Sequence, residues 1–381
     1  MDDLAPETVA CLDSAHWGQL LAALGSTQTR PQALVRLSAF AAQGGMLALT
    51  FHHILELAQH ENTEKVKVRF EALCELGPLR VVSAITVDGP GSIVDLVALE
   101  LMAALKSPDA NATSVADLVW PNALATATGA QVSDWVLPQL DVLRTHLTAD
   151  AARRRAVSAL SQSVVLDRSK ERLMPNVRLV SPHQAKANLA SLEKRLTAEV
   201  VSRRDPRASE SEAASSAAEF VRELTIDADA IAAHGNHWEG LLARAGVSAQ
   251  DVAGMRYVSE AVDLAQFRKQ VEIAAYHLGV SAEELCRVRP EQFPTWLIHR
   301  AYNAHRQLAT TTRASDLGDL HLLSHAPYMD ALFVDKRTHE NVRRIRQKDA
   351  NAGVFLQSVV RAGSWEEALV LPLSSTRPGK T

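Results

Sequence analysis

Aromatic residues are scarce, at 5% of the chain, while Ala and Leu abound, so helix is expected to dominate the fold. Cysteine is scarcer still. Cys11, Cys74 and Cys286 lie far apart, with neither the spacing of a disulfide framework nor that of a paired metal motif. No uncharged apolar run approaches the roughly 18 residues that cross a bilayer, which excludes a helical membrane span. The opening MDDLAPETVA is acidic and lacks the apolar centre of a signal peptide. Excess positive charge is absent too. The net charge is −4 and the pI ≈ 6.4, so no overall basic field announces a nucleic-acid binder. No internal repeat is evident. What is present is 47% hydrophobic residues in a chain of 381, ample for a core. That length suits two or three domains, or one domain with a large insertion. The expectation is a soluble, cytoplasmic protein.

The stretch Ser315–Asp335, SDLGDLHLLSHAPYMDALFVD, carries the densest pattern. Asp316 and Asp319 are one helical turn apart and share a face. The apolar run Ala331–Val334 is long enough for a buried strand and too short for a helix, and it ends on Asp335. A helix with acids at its start, then a strand with an acid at its tip, brings distant carboxylates to one sheet edge. Ligand sites in open α/β folds lie at that edge. The plainer alternative is that Asp316 starts a helix and Asp335 begins a turn.

Near the N-terminus, Thr8–Leu12 reads as a first buried strand with Asp13 at its tip. Ser14 is expected to cap the helix Trp17–Leu24 that follows, and Gly25 to end it. Pro31 opens a further helix. Met46–Leu49 reads as a second strand, with Thr50 capping a helix over Phe51–His60 that contains Glu56.

The segments CLDSAHW around Asp13, LALTFHHILEL around Glu56 and SDLGDLHLLSHAPYMDALFVDKR together resemble the PIN domain, a metal-dependent nuclease fold. The resemblance covers about the first 100 and last 80 residues. It implies a three-layer α/β/α domain with a central parallel sheet, interrupted by a large, mainly helical insertion. The expected division is 1–104 and 291–381 for the PIN-like domain and 105–290 for the insertion or lid. The family's acidic positions fall on Asp13, Glu56, Asp335 and either Asp316 or Asp319. Asp316 is favoured by its place at the helix start and Asp319 by helix register. Asp330, five residues before the final acid, also fits the pattern. Val334 departs from it, because the family usually has a small hydroxyl residue there. The implied activity is nucleolytic cleavage, of RNA in preference to DNA, in the setting of a toxin, a phage-defence effector or RNA processing. The implied cofactor is Mg²⁺ or Mn²⁺.

Such chemistry suits these residues. Phosphodiester hydrolysis needs water activated near neutral pH and relief of phosphate charge, and a bound divalent cation supplies both. Hard cations prefer oxygen ligands, so a cluster of carboxylates fits. Crowded carboxylates are expected to have raised pKa values without metal. Ser14 is placed to orient a carboxylate or a water. His325 either contacts the scissile phosphate or packs beneath the site. Lys336, Arg337, Arg343, Arg344 and Arg346 either hold a nucleic-acid backbone or form a solvated helix face. His52, Glu56 and His60 share a helix face without forming the HExxH zinc motif, and the histidines read as surface residues. Glu100, in VALELMAALK, has the look of an inward acid and is read as an ordinary exposed glutamate.

Between these ends, helices are expected from Ile93 and over 134–147, 151–163 and 183–204, with 207–216 as a linker. Basic residues outnumber acids from Arg144 to Arg207, which offers either a local nucleic-acid surface or helix borders suited to dimer or partner contacts. Aromatics are nearly absent there, so base stacking on this stretch is not expected. An inactive PIN-like scaffold binding a protein partner, or an all-helical interaction protein, are the rival readings.

Overall fold

In the computed structural model the described residues are 7–147 (apart from 60, 61, 86–88 and 146), 182–202, short stretches between 209 and 257, 258–305 and 315–370. The strands are β1 (Thr8–Leu12), β2 (Gly45–Leu49), β3 (Pro78–Val82), β4 (Leu124–Thr128), β5 (Ala331–Val334) and β6 (Val359–Arg361). They form a six-stranded sheet in the order β4-β3-β2-β1-β5-β6. All neighbours run parallel except β4, which lies antiparallel to β3. The protein is therefore an α/β fold with a mostly parallel sheet.

The central strands are short apolar runs because both of their faces are covered. On one face Ala10, Leu12, Leu49, Leu79 and Phe333 join the main core with helix residues such as Trp17, Leu20 and Phe70. On the other, Val9, Cys11, Leu332 and Val334 are buried as well. Asp330 fixes the entry to β5: its carboxylate accepts the Val9 N–H at 2.9 Å, and its own N–H donates to the Val9 carbonyl at 3.0 Å.

The helices that matter below are α1 (Ser14–Leu24), α2 (Arg30–Ala42), α3 (Phe51–Ala58), α4 (Thr63–Leu73), α5 (Ile93–Lys106), α6 (Ala112–Ala123), α7 (Gly129–Val136), α8 (Pro182–Ser202), α9 (Val258–Leu278), α10 (Pro294–His305), α11 (Ser315–Leu323), α12 (Lys336–Lys348) and α13 (Trp365–Val370). β1 and β5 occupy the expected residues, and β2 begins one residue earlier than expected. The strands β4 and β6 were not foreseen. β4 lies inside the stretch assigned to an insertion, yet it pairs with β3 along its full length.

Contacts divide the chain into two units. The first comprises Met1–Leu147, Val271–Gln307 and Leu317–Thr381, and so holds the whole sheet with α5, α6 and α7. The second comprises Thr148–Gln270 and Leu308–Asp316. Within it α8 is helical as expected, and Arg268 pairs with Asp251 at 2.6 Å. The expected helix over 151–163 and most of the linker and basic stretch lie outside the described residues.

Glu100 is not exposed but fully buried. α5 is apolar almost all round, from Leu96 to Ala104, so its one mid-helix acid has no route to solvent. The carboxylate accepts the Thr295 hydroxyl at 2.6 Å and the Tyr328 hydroxyl at 2.7 Å, and the Thr295 N–H lies 3.3 Å away. It thereby ties α5 to α10 and to the turn before β5. Burial without a cation pushes its pKa up to about 7, against the pull of those hydrogen bonds. A carboxyl whose folded value exceeds its unfolded value near 4.5 favours folding at low pH, and that contribution is lost as pH rises through about 7. Glu100→Gln keeps an acceptor for Tyr328 and removes the buried charge. Urea denaturation at pH 5, 7 and 9 should show the variant gaining on the wild type with pH, by on the order of 2 kcal/mol at pH 9. A wild-type-to-variant difference constant across pH contradicts a titrating Glu100.

Candidate carboxylate site

The strand order reverses direction at β1: the chain moves outward through β2 and β3 on one side and through β5 and β6 on the other. The crevice beyond the carboxyl ends of β1 and β5 is thus the topological switch point of the sheet. Asp13 and Asp335 follow those two strands directly. Leu12 pairs with Phe333, so Asp335 stands one residue further out than Asp13. Cys11 pairs with Ala48, which sets Thr50 level with Asp13 on the other neighbour.

Each of these three residues is the N-cap of the next helix. Asp13 Oδ1 accepts the His16 N–H at 2.8 Å, Asp335 Oδ1 accepts the Thr338 N–H at 2.7 Å, and Thr50 forms a capping box with His53. The reason is local: the first N–H groups of a helix need acceptors, and Asp and Thr supply them. Ser14 is therefore not the cap of α1, as expected, but its first residue. Its hydroxyl instead hydrogen-bonds the Glu56 carboxylate from α3. This contact joins the ends of β1 and α3 into one site.

Glu56 is about one-third exposed, and its Oε1 lies 3.1 Å from His52 Nε2, one helical turn earlier. Burial pushes the Glu56 carboxyl up, but the hydrogen bond and charge of His52 and the hydrogen bond of Ser14 outweigh it, holding the pKa at about 2. The expected rise from crowded carboxylates is absent here because histidine, rather than another acid, is the nearest ionisable neighbour. His16 Nδ1 lies 2.9 Å from Asp13 Oδ1. His52 is not a free surface residue. His60, its expected companion, lies outside the described residues.

Gly318 explains how α11 reaches this edge. A Cβ there would stand 2.6 Å from His52 Nε2 and 3.1 Å from Glu56 Oε1, so only glycine lets the helix backbone press against the pair. The His321 and His52 rings meet edge to face at 6.1 Å. Asp319, next to Gly318, is half-buried in the first unit. The backbone of Asp316 opens the same helix, but this residue belongs to the second unit and its side chain lies outside the description.

His325 is buried, with its Nδ1 2.7 Å from the His321 carbonyl, and burial pushes its pKa down to about 4. It is buried and neutral, close enough to His52 for their charges to interact, and offers no open surface to a phosphate. Lys336 is exposed and Arg337 half-buried at the start of α12. Further along that helix, Arg343 and Arg344 pair with Glu340 on the helix surface, and Arg346 binds the carbonyls of Leu356 and Val359.

A shallow pocket of about 500 Å³ opens beside Glu56, lined also by Ser14, Gly18, Gln19 and, from α4, Arg69. Sequence reasoning did not single out Arg69, whose neighbours in TEKVKVRFEAL are an ordinary amphipathic helix.

The donor set is one of oxygens, which suits a hard divalent cation. Among the described residues, no hydrogen-bond donor takes the second oxygen of Asp13 or Asp335. No group of three such side chains among these residues is gathered closely enough to hold a metal by itself.

Because Glu56 ionises more readily when folded, its stabilising contribution is present above about pH 4.5 and lost as pH falls towards 2. Urea unfolding at pH 6 and pH 3 should show a smaller acid loss in Glu56→Gln than in wild type. The difference should be about 1 kcal/mol, since the group is partly exposed. Equal acid losses in the two proteins would remove the His52–Glu56 pair as a stabilising contact. No protein-family profile, curated protein or solved structure matches the chain, so the site stands on its own geometry.

Proposed function

We propose that the chain is a PIN-like, divalent-metal-dependent nuclease that cuts RNA in preference to DNA. What supports this reading is the placement of Asp13 and Asp335 directly after β1 and β5 at the switch point of a parallel sheet, with Ser14 beside Asp13 hydrogen-bonded to Glu56. The preference for RNA rests on the sequence resemblance alone.

In this reading Asp13 and Glu56 hold a Mg²⁺ or Mn²⁺ ion, with Asp335 and Asp319 or Asp316 completing the acidic rim. When bound, the cation supplies Lewis acidity towards a phosphoryl oxygen and makes water a better nucleophile. Ser14 orients Glu56. His52 lies against Glu56 and His16 against Asp13, which positions both carboxylates. The N-termini of α1 and α12 direct backbone N–H groups and positive dipole ends to the edge where a phosphate lies. Lys336 and Arg337 sit beside Asp335 and offset the charge of the nucleic-acid backbone.

A second reading, a non-catalytic scaffold, is favoured by one observation: Asp13 and Asp335 each engage an oxygen in helix capping, a structural role sufficient to account for them. Metal binding separates the two. In the nuclease, Mn²⁺ raises the unfolding midpoint of the wild type relative to EDTA, and the rise is lost in Asp13→Asn. Cleavage of single-stranded RNA with Mg²⁺ or Mn²⁺ falls on the order of 10²–10³-fold in Asp13→Asn and in Glu56→Gln, with folding retained. Wild-type cleavage by folded Asp13→Asn removes the site assignment, and a Mn²⁺-indifferent wild type without cleavage leaves the scaffold.

A further inference from the structure

The pocket beside Glu56 has features the carboxylate edge does not require. Its floor is the outward face of α1, where Ser14, Gly18 and Gln19 recur at helical spacing. At Gly18 an added Cβ would meet nothing within 4 Å, so this part of the helix borders open space. Arg69, half-buried on α4, forms the wall facing Glu56. It makes no ion pair among the described residues, unlike Arg30 and Arg80, which hold Glu75 and Glu7. The described charge around it is positive on its own helix face, since Lys65 lies one turn earlier and is exposed. No aromatic side chain lines the pocket, which excludes base stacking as its means of recognition. Its volume of about 500 Å³ falls within the range of small-ligand pockets.

We propose that this pocket is a nucleotide subsite, in which Arg69 binds a phosphate of the nucleic-acid strand next to the bond that is cut and Gly18 leaves room for the sugar-phosphate chain against α1. The inference rests on the nuclease reading for the identity of the strand, but not for the existence of a phosphate-binding pocket. It gives the acidic edge what that edge lacks. Carboxylates repel a phosphate backbone until a cation is present, and a guanidinium a few side chains away holds the strand meanwhile. It also sets a path: from the switch-point crevice, where α12 begins, the strand continues over α1 towards α4.

The test uses the full chain in EDTA, where cleavage is silent, and two variants. Arg69→Gln removes the charge. Gly18→Leu fills the pocket, and it should fold at least as well as wild type because leucine is the better helix former and its side chain enters open space. Fluorescence anisotropy with a labelled single-stranded RNA 20-mer, repeated from 50 to 200 mM salt, should show roughly 5–10-fold weaker binding in both. For Arg69→Gln the slope of log affinity against log salt should drop by about one. Unchanged affinity in both variants overturns the subsite. A second arm follows phosphorus-31 line broadening of uridine 5′-monophosphate, which saturates in wild type and is lost in both variants. If RNA is cleaved but the nucleotide does not bind, the inference fails while the nuclease stands. If nothing is cleaved but nucleotide binding depends on Arg69 and Gly18, the nuclease reading fails while the pocket stands.

Discussion

The first N–H groups of a helix must find acceptors, and in this protein that requirement is concentrated at one sheet edge. Parallel strands end on the same side, and each of β1, β2 and β5 is followed at once by a helix. The acceptors are Asp13, Thr50 and Asp335. Two carboxylates therefore face the crevice between β1 and β5 for reasons of helix capping, before any chemistry is considered. An oxygen of each remains for a ligand, so the structural and chemical roles do not compete for the same atom.

Histidine answers the next constraint. His52 lies against Glu56 and His16 against Asp13, and the His52 contact helps Glu56 ionise without a cation. The close approach of α11 at Gly318 uses the same contact, because its backbone rests on the His52–Glu56 pair and has no side chain of its own there. The more buried histidines, His53 and His325, are held neutral by desolvation and serve packing.

The sequence was readable where the cause was local. β1 and β5 are apolar runs closed by an acid, and Thr50 precedes a helical pattern, so strand, cap and helix could be placed from neighbouring residues alone. β4 was not readable, because LATAT has little apolar character and becomes a strand only through pairing with β3. β6 has only three residues and depends on β5 in the same way. Asp13 took the capping role expected of Ser14 because capping turns on backbone geometry that the letters do not carry. Glu100 was misjudged since its two partners, Thr295 and Tyr328, are some two hundred residues away. His52 was visible at the right spacing from Glu56, but whether such a pair faces water or a neighbouring helix depends on Gly318 far downstream. Arg69 offered no signal at all, because its meaning comes from the pocket opposite.

The pairing of Ala10 with Ala331 has a consequence for the life of the chain on the ribosome. β1 can find β2 once Leu49 has emerged, and α3 soon brings Glu56 beside Ser14. The other half of the crevice waits until β5 is synthesised, far later in the chain, and pairing across so long a loop is slow. Until then the exposed flank of β1 is an open strand edge, vulnerable to a wrong partner. A chain that stops short of β5 thus carries one side of the crevice and an unprotected strand, and the edge is complete only when β5 has joined β1.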